Sequence, residues 1–375
     1  MITGKFMTQA DQTTITKIQL WTLNIPITDP FVVATGQLTT AQNIFIQVTL
    51  RDGSIGFGEI APFTDLTGET VSDSLKTAES LATPLLGTPA INYRKTAQQF
   101  QEQVPNFPAT RCGIETALLD ALCRSENIPL WALWGGADVR ERETDITIPI
   151  CNCERTLALV REWHAKGFRL FKMKVGHDVD EDIRRIEEIH KQFPEVTYLV
   201  DPNQGFDRNT AEGFIKGVKK IKAKIEILEQ PLPRDDLEGA AWLRRTFQIP
   251  IAADETVCTV ADAQCVIQNK AADYINLKIT KSGVLETLDI FTLTRTAGLK
   301  LMIGGMVETR IAMGCSFSIV LGMGEIDYLD LDTPLLMNHD PVKGGFAYCC
   351  PRLQPWNGAG LSASLSPNEN SLVIE

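Results

Sequence analysis

The sequence predicts an α/β protein, a (β/α)8-type barrel that carries an N-terminal α+β capping domain. Three observations predict it. Short apolar runs, each closed by one charged residue, recur at a near-constant interval. Lys174, Asp201, Glu229, Asp254 and Lys278 close five of them, at steps of 27, 28, 25 and 24 residues (201−174, 229−201, 254−229, 278−254). That is the size of one strand–helix unit when about 250 residues make eight. Strand–helix alternation also runs on either side of these five, from Ile146 to about residue 333, with strands near 146, 170, 198, 226, 251, 275, 301 and 327. Ahead of it, strands come first and helices after, the order of an α+β unit.

Taken in order, the polar stretch Met1 to Thr16 is expected to be a lead-in. Ile18 to Leu23 and Asn43 to Leu50 alternate as strands. Between them Thr28 to Thr40 is expected to be a loop. Arg51-Asp52-Gly53-Ser54 is a hairpin turn leading to a return strand, Ile55 to Ile60. A polar loop, Pro62 to Thr70, precedes helical periodicity that lasts to about Trp134. Within it, Gly113 to Leu122 reads as an amphipathic helix. Barrel helices are expected over 155–166, 179–192, 210–222, 237–246, 260–268 and 284–297. The expected division is a capping domain, 1–140, joined by the C-terminal segment 345–375, and a catalytic barrel, 141–344.

A chain of 375 residues suits two such units. Its net charge of −11 leaves no basic surface for phosphates, so nucleic acid is not an expected partner. No apolar run approaches the ~18 residues of a membrane span, and the N-terminus lacks the apolar segment of a secretory signal. The 9 cysteines have no metal-knuckle spacing, and Cys112, Cys123, Cys258, Cys265 and Cys315 read as small core residues. Free thiols point to a reducing cytoplasm.

The charged strand ends carry the chemistry. In such barrels the strand C-termini converge on one face. Asp201, Glu229 and Asp254 would meet there as a hard-oxygen site suited to Mg²⁺. Lys172 and Lys174 lie two apart, so on a strand they face one way. Two solvated surface lysines are the plainer reading of that stretch alone. The regular interval favours a site, in which adjacent ammonium groups would lower a pKa and supply a base. Lys278 would stand across the mouth.

Lys172-Met173-Lys174, Val200-Asp201-Pro202-Asn203, Leu228-Glu229-Gln230-Pro231-Leu232, Ala253-Asp254-Glu255-Thr256 and Asn276-Leu277-Lys278 followed by Gly283 resemble the enolase superfamily, in its muconate-lactonizing-enzyme-like branch. The likeness covers nearly the whole chain. It implies that Asp201, Glu229 and Asp254 bind Mg²⁺. Lys174 and Lys278 would be an acid/base pair on opposite substrate faces, with Lys172 near the substrate carboxylate. Such sites set a Lys or His base against Mg²⁺ and pass through an enediolate. Val284 departs from the branch, which often has a second glycine after Gly283. The four histidines, His164, His177, His190 and His339, end no late strand, which argues against a His–Asp dyad. His177 could line the loop after the second strand.

Asp330 and Asp332 sit two apart at the eighth strand. A solvated acidic end is the plainer reading, and a clamp for an ammonium group the functional one. The pair resembles the Asp-x-Asp motif of dipeptide epimerases, where it holds the substrate's free amino group. Under that resemblance Thr147, Gly305, Val307 and Gly36 also contact the dipeptide. Gly36 stands where enzymes acting on Ala-Glu carry an arginine. No Arg or Lys lies in 28–40, so an acidic side chain would go unpaired and Ala-Glu specificity is not expected. Asp65 or Glu69 could suit a cationic one. The expected activity is thus epimerisation of the C-terminal residue of a small dipeptide. The alternatives are o-succinylbenzoate synthase, N-acylamino acid racemase or a cycloisomerase of the same branch, and, outside enzymes, a metal-bound binding protein. Association into a homo-oligomer stays open.

Overall fold

The alternating residues near the N-terminus pair into a β-sheet whose inner face is apolar. A computed structural model describes residues 8–375. Strand β1 (Ile15–Val33) runs antiparallel to β2 (Gly36–Leu50), with Ile18 opposite Val48 and Leu20 opposite Ile46. The turn at Asp52–Gly53 leads to β3 (Ile55–Ile60). Ile18, Ile44, Ile46 and Val48 are fully buried beneath helices α1 (Val71–Ala82), α2 (Tyr93–Gln103) and α3 (Pro108–Ser125).

Three expectations change here. The segment 28–40 is not a loop, because β1 and β2 continue pairing through Phe31↔Leu38 and Val33↔Gly36. Pro26 and Pro30 interrupt the alternation, and a register shift lies between Pro26 and Phe31. The ladder is made by the main chain, so pairing survives where the side-chain pattern does not. The lead-in holds a turn of helix at Gln9–Gln12 capped by Thr8 and Asp11. The rest of it, residues 1–7, lies outside the described residues. Helix α3 is not amphipathic in use, since Pro108 to Cys123 are all buried. It lies against bare strand backbone. A Cβ on Gly58 would come 1.9 Å from Gly113 O, and one on Gly56 would come 2.2 Å from Ala117 O.

Eight parallel strands then follow in sequential order: β4 (Ile146–Ile148), β5 (Leu170–Lys174), β6 (Thr197–Asp201), β7 (Lys224–Glu229), β8 (Ile251–Ala253), β9 (Tyr274–Leu277), β10 (Lys300–Ile303) and β11 (Tyr328–Leu329). Every expected strand is present. The outer helices are α4 (Cys153–Ala165), α5 (Val179–Gln192), α6 (Arg208–Ile221), α7 (Leu237–Phe247), α8 (Val260–Asn269), α9 (Val284–Thr296) and α10 (Ala312–Met323). The seam between β4 and β11 is closed by Asp145 N donating to Leu329 O and by Thr144 Oγ1 accepting from Leu331 N. Inside the barrel, Leu199, Ile227, Ala252, Tyr274 and Met302 form an apolar plug. Three of them lie two residues before Asp201, Glu229 and Asp254, so the period of 2 sets a charged layer directly above an apolar one.

Two buried carboxylates fasten cap to barrel. Glu59 of β3 accepts from Thr309 N at 2.9 Å and Ala312 N at 3.2 Å, at the start of α10. Glu115 of α3 accepts from Leu285 N at 3.1 Å, at the start of α9. Gly283 has φ +93, and a Cβ there would sit 3.1 Å from Glu115 Oε1. The helix start around Val284 is thus capped by Glu115 from another domain. At the C-terminus, β12 (Leu372–Ile374) pairs with β1 through Ile18↔Ile374, while 352–354 pairs with 142–143 beside the barrel. Of the cysteines expected in the core, Cys112, Cys123 and Cys315 are buried, Cys258 is half-buried and Cys265 is exposed. Among the described residues no helix is long and apolar enough to cross a membrane.

Candidate active site

Strands β6, β7 and β8 end side by side, so their terminal carboxylates converge. Asp201, Glu229 and Asp254 each place an oxygen within 4.8 Å of the others, and all are 0% exposed. Each also meets a lysine. Lys174 Nζ donates to Asp201 Oδ2 at 2.6 Å. Lys278 Nζ donates to Asp254 Oδ2 at 2.6 Å, and Lys281 Nζ to Asp254 Oδ1 at 2.6 Å. Lys172 Nζ stands 2.8 Å from Glu229 Oε2 and 3.2 Å from Asp201 Oδ2. The Glu229 contact is ionic only, since its alignment does not make a hydrogen bond and Oε2 has no other partner. Glu229 Oε1 accepts from Asn276 Nδ2 at 2.7 Å.

Charge balance sets the protonation. Burial would raise the Asp254 carboxyl, but Lys278, Lys281 and Lys172 overcome it and hold it below the usual range. Asp201 is likewise lowered, burial being outweighed by Lys174 and Lys172. Glu229 is pushed up to about 8 by burial and by Asp201, against Lys172. The expectation that neighbouring lysines depress one another fails for Lys172. Burial works in that direction, but Asp330, Glu229 and Asp201 outweigh it and raise the ammonium well above its ordinary value. Lys172 is surrounded by more carboxylates than lysines.

The donor set fits a hard divalent cation. Three carboxylates meet at one point, and Glu229 Oε2 is a buried oxygen without a hydrogen-bond donor. All-oxygen ligation suits Mg²⁺ or a similar ion.

A second acidic group adjoins the first. Asp145, Asp330 and Asp332 also place oxygens within 4.8 Å of one another. Lys172 Nζ donates to Asp330 Oδ2 at 2.7 Å, and Asp332 Oδ2 accepts from Thr147 N at 2.6 Å. Asp332 is raised to about 7 by burial and by Asp330. Asp145 is raised well above the ordinary value by burial, then by Asp330 and Asp332, and neither of its oxygens has a partner. Only Tyr328 and Leu329 form strand here, yet the pair stays at the mouth because Asp332 is tied to β4.

A cavity of about 200 Å³ lies over this floor. Lys172, Lys174, Asp254, Lys278, Thr147 and Asp330 line its barrel side, with Gly305 and Val307 beside them. Phe31, Val33, Leu38, Phe63, Leu66 and Gly36 close it from the cap. Asp332 lies behind this wall. Lys174 and Lys278, from the ends of β5 and β9, reach the same space.

Asp65 lines the cavity beside Gly36, where a Cβ would be 3.9 Å from its Oδ2. Glu69 does not take part. Its carboxylate accepts from Ala109 N at 2.7 Å and Thr110 N at 3.1 Å, capping α3. His177 is exposed and outside the cavity. Asn203, Glu255 and Asn276 stand in the sequence only within the family-like motifs, and Lys281 and Asp145 are not among its candidates. Lys281, one helical turn after Lys278, and Asp145, two before Thr147, had the spacing to be found.

Comparison with known proteins agrees with this geometry. Residues 15–135 match the N-terminal domain of the mandelate racemase / muconate lactonizing enzyme family, and residues 155–369 match the enolase C-terminal domain-like family. The chain is 37% identical to an aromatic dipeptide epimerase of Herpetosiphon aurantiacus, over 94% of this chain and 99% of that protein. It is 36% identical to an L-Ala-D/L-amino acid epimerase of Populus trichocarpa, over 86% and 78%. The crystal structure of a dipeptide epimerase from Cytophaga hutchinsonii, complexed with Mg and D-Ala-L-Val, superposes with a TM-score of 0.92, at 28% identity, over 96% of this chain and 100% of that one.

Proposed function

The chain belongs to the mandelate racemase / muconate lactonizing enzyme family of the enolase superfamily, and on that premise we propose that it is a Mg²⁺-dependent dipeptide epimerase that inverts the α-carbon of the C-terminal residue. The observation that carries the reading is one cavity holding two separated lysines above a carboxylate cluster, with Asp330 in its wall and Asp332 directly behind. One end suits the substrate carboxylate and the other its ammonium.

Asp201, Glu229 and Asp254 would hold the cation. When bound, it supplies positive charge where negative charge develops on the substrate carboxylate. Lys174 and Lys278 face the α-carbon from opposite sides. One accepts its proton and the other returns a proton to the opposite face, so the configuration inverts. In either direction the accepting lysine is the free amine and the donating one the ammonium, and Asp201 and Asp254 hold the two Nζ atoms in place. Lys172 links the metal carboxylates to Asp330 and fixes the spacing between the two ends. Asp330 and Asp332 receive the substrate's free amino group. Thr147 N orients Asp332.

The C-terminal side chain meets Val33, Leu38, Phe63 and Met306, an apolar wall without an Arg or Lys. Apolar side chains are therefore preferred over Glu. The nine free cysteines support a reducing, cytoplasmic setting. We read 1–140 with 345–375 as cap and 141–344 as barrel.

The test is incubation of a dipeptide library with enzyme and Mg²⁺ in D₂O, followed by mass spectrometry. α-Deuteration of the C-terminal residue in free dipeptides, and its loss on N-acetylation, is expected. Equal rates for free and acetylated substrates would instead mark an N-acylamino acid racemase.

A further inference from the structure

Beside the reaction chamber lies a second cavity, of about 240 Å³, that shares Phe31 and Thr147 with it as walls. Thr147 is the residue whose amide holds Asp332. The second cavity therefore begins where the acidic pair ends. Its floor is Leu159 and Trp163 of α4, and its side is Leu335 and Leu336, from the turn of helix directly after Asp332.

The roof is the β1 segment around Ile27, fastened on both flanks. Val32 O accepts from Ile150 N at 2.9 Å, and Pro26 O accepts from Asn338 N at 2.9 Å. The charges at the rim are already paired. Arg155 meets Asp29 at 2.7 Å and Lys166 meets Glu162 at 2.8 Å. The Lys166 ammonium also stands 3.9 Å from the centre of the Trp163 ring. Phe31, half-buried and with its ring centre 5.9 Å from Lys174 Nζ, lines both chambers.

Resting on the dipeptide reading, the geometry limits where a substrate can branch. With the ammonium at Asp330 and Asp332, the N-terminal α-carbon is one bond away, and its side chain starts beside Thr147, where the second cavity adjoins the chamber. We infer that the second cavity is the subsite for the N-terminal side chain, and that it takes a large apolar or aromatic one. An apolar cavity of roughly 150 Å³ accepts benzene, so this volume holds an aromatic ring. A charged side chain would find the rim charges already engaged with one another.

Two fillings from different walls test it, Leu336→Trp and Leu159→Trp, with Phe-Leu and Ala-Leu as substrates. The wild type should favour Phe-Leu in kcat/KM. Each filling should lower the Phe-Leu to Ala-Leu ratio at least ~30-fold, mostly through KM. Leu336→Ala should move it the other way, raising Trp-Leu relative to Phe-Leu. A ratio unmoved in all three variants, with Ala-Leu still epimerised, overturns the subsite alone. If the wild type epimerises no dipeptide, the functional reading falls first.

Discussion

Lys172 Nζ and Asp330 Oδ2 stand 2.7 Å apart with both side chains almost completely buried, and the same ammonium is 2.8 Å from Glu229 Oε2. One cation thus joins Glu229 and Asp201, two of the three carboxylates proposed for the metal, to the acidic group that would receive the substrate ammonium. Lys172→Met should leave Glu229 and Asp330 without their cation and cost about 3–5 kcal/mol of stability. Chemical denaturation reads this, and a change below about 1 kcal/mol would contradict the linkage. Asp330→Asn should instead lower kcat/KM for free dipeptides about 30- to 1000-fold, the equivalent of ~2–4 kcal/mol. N-acetyl dipeptides should suffer little further from it.

The metal site should be visible without turnover. Mg²⁺ that binds only the folded chain adds about 2.7 kcal/mol at 100 times its Kd. The thermal midpoint of the wild type should therefore rise with Mg²⁺ and fall back with EDTA. An Asp201→Asn, Asp254→Asn double variant should show no such rise. A rise of equal size in the variant would place the cation elsewhere.

The two lysines should separate by stereochemistry. Lys278→Ala should abolish interconversion while leaving α-proton exchange in one isomer, and Lys174→Ala should leave it in the other. NMR in D₂O distinguishes them. Interconversion at the wild-type rate in either variant would rule out the two-base mechanism.

Glu115 should make stability fall with pH. Burial raises its carboxyl from 4.5 to about 7, against the hydrogen bond from Leu285 N and the charge of Arg111. The folded chain therefore holds a proton that the unfolded chain has released. That stabilisation is complete below pH 4.5 and is lost as pH rises through 7. At about 1.4 kcal/mol per pKa unit it amounts to ~3 kcal/mol. Glu115→Gln keeps an acceptor for Leu285 N and removes the titration. Between pH 4.5 and 8 the variant should lose about 3 kcal/mol less than the wild type in denaturant titrations. Equal losses would show that Glu115 is charged throughout.

The sequence by itself determined the barrel and the chemical layer. Lys174, Asp201, Glu229, Asp254 and Lys278 recur once per strand–helix unit, and every expected strand is present. A period that local sequence encodes needs no tertiary information to be read. Tertiary structure decided what depends on which surfaces meet. The 28–40 segment pairs as a ribbon because its backbone finds a partner, although Pro30 and the register shift before Phe31 break its alternation. Helix α3 is buried on all sides because Gly56 and Gly58 admit it to bare backbone. Glu69, legible only as a loop acid, is spent on the α3 N-terminus. Asp145 joins Asp330 and Asp332 across a seam between residues 185 positions apart or more (330−145 = 185). The direction of the Lys172 shift follows from that convergence. A pKa depends on every charge within a few ångströms, and here most of them come from other strands.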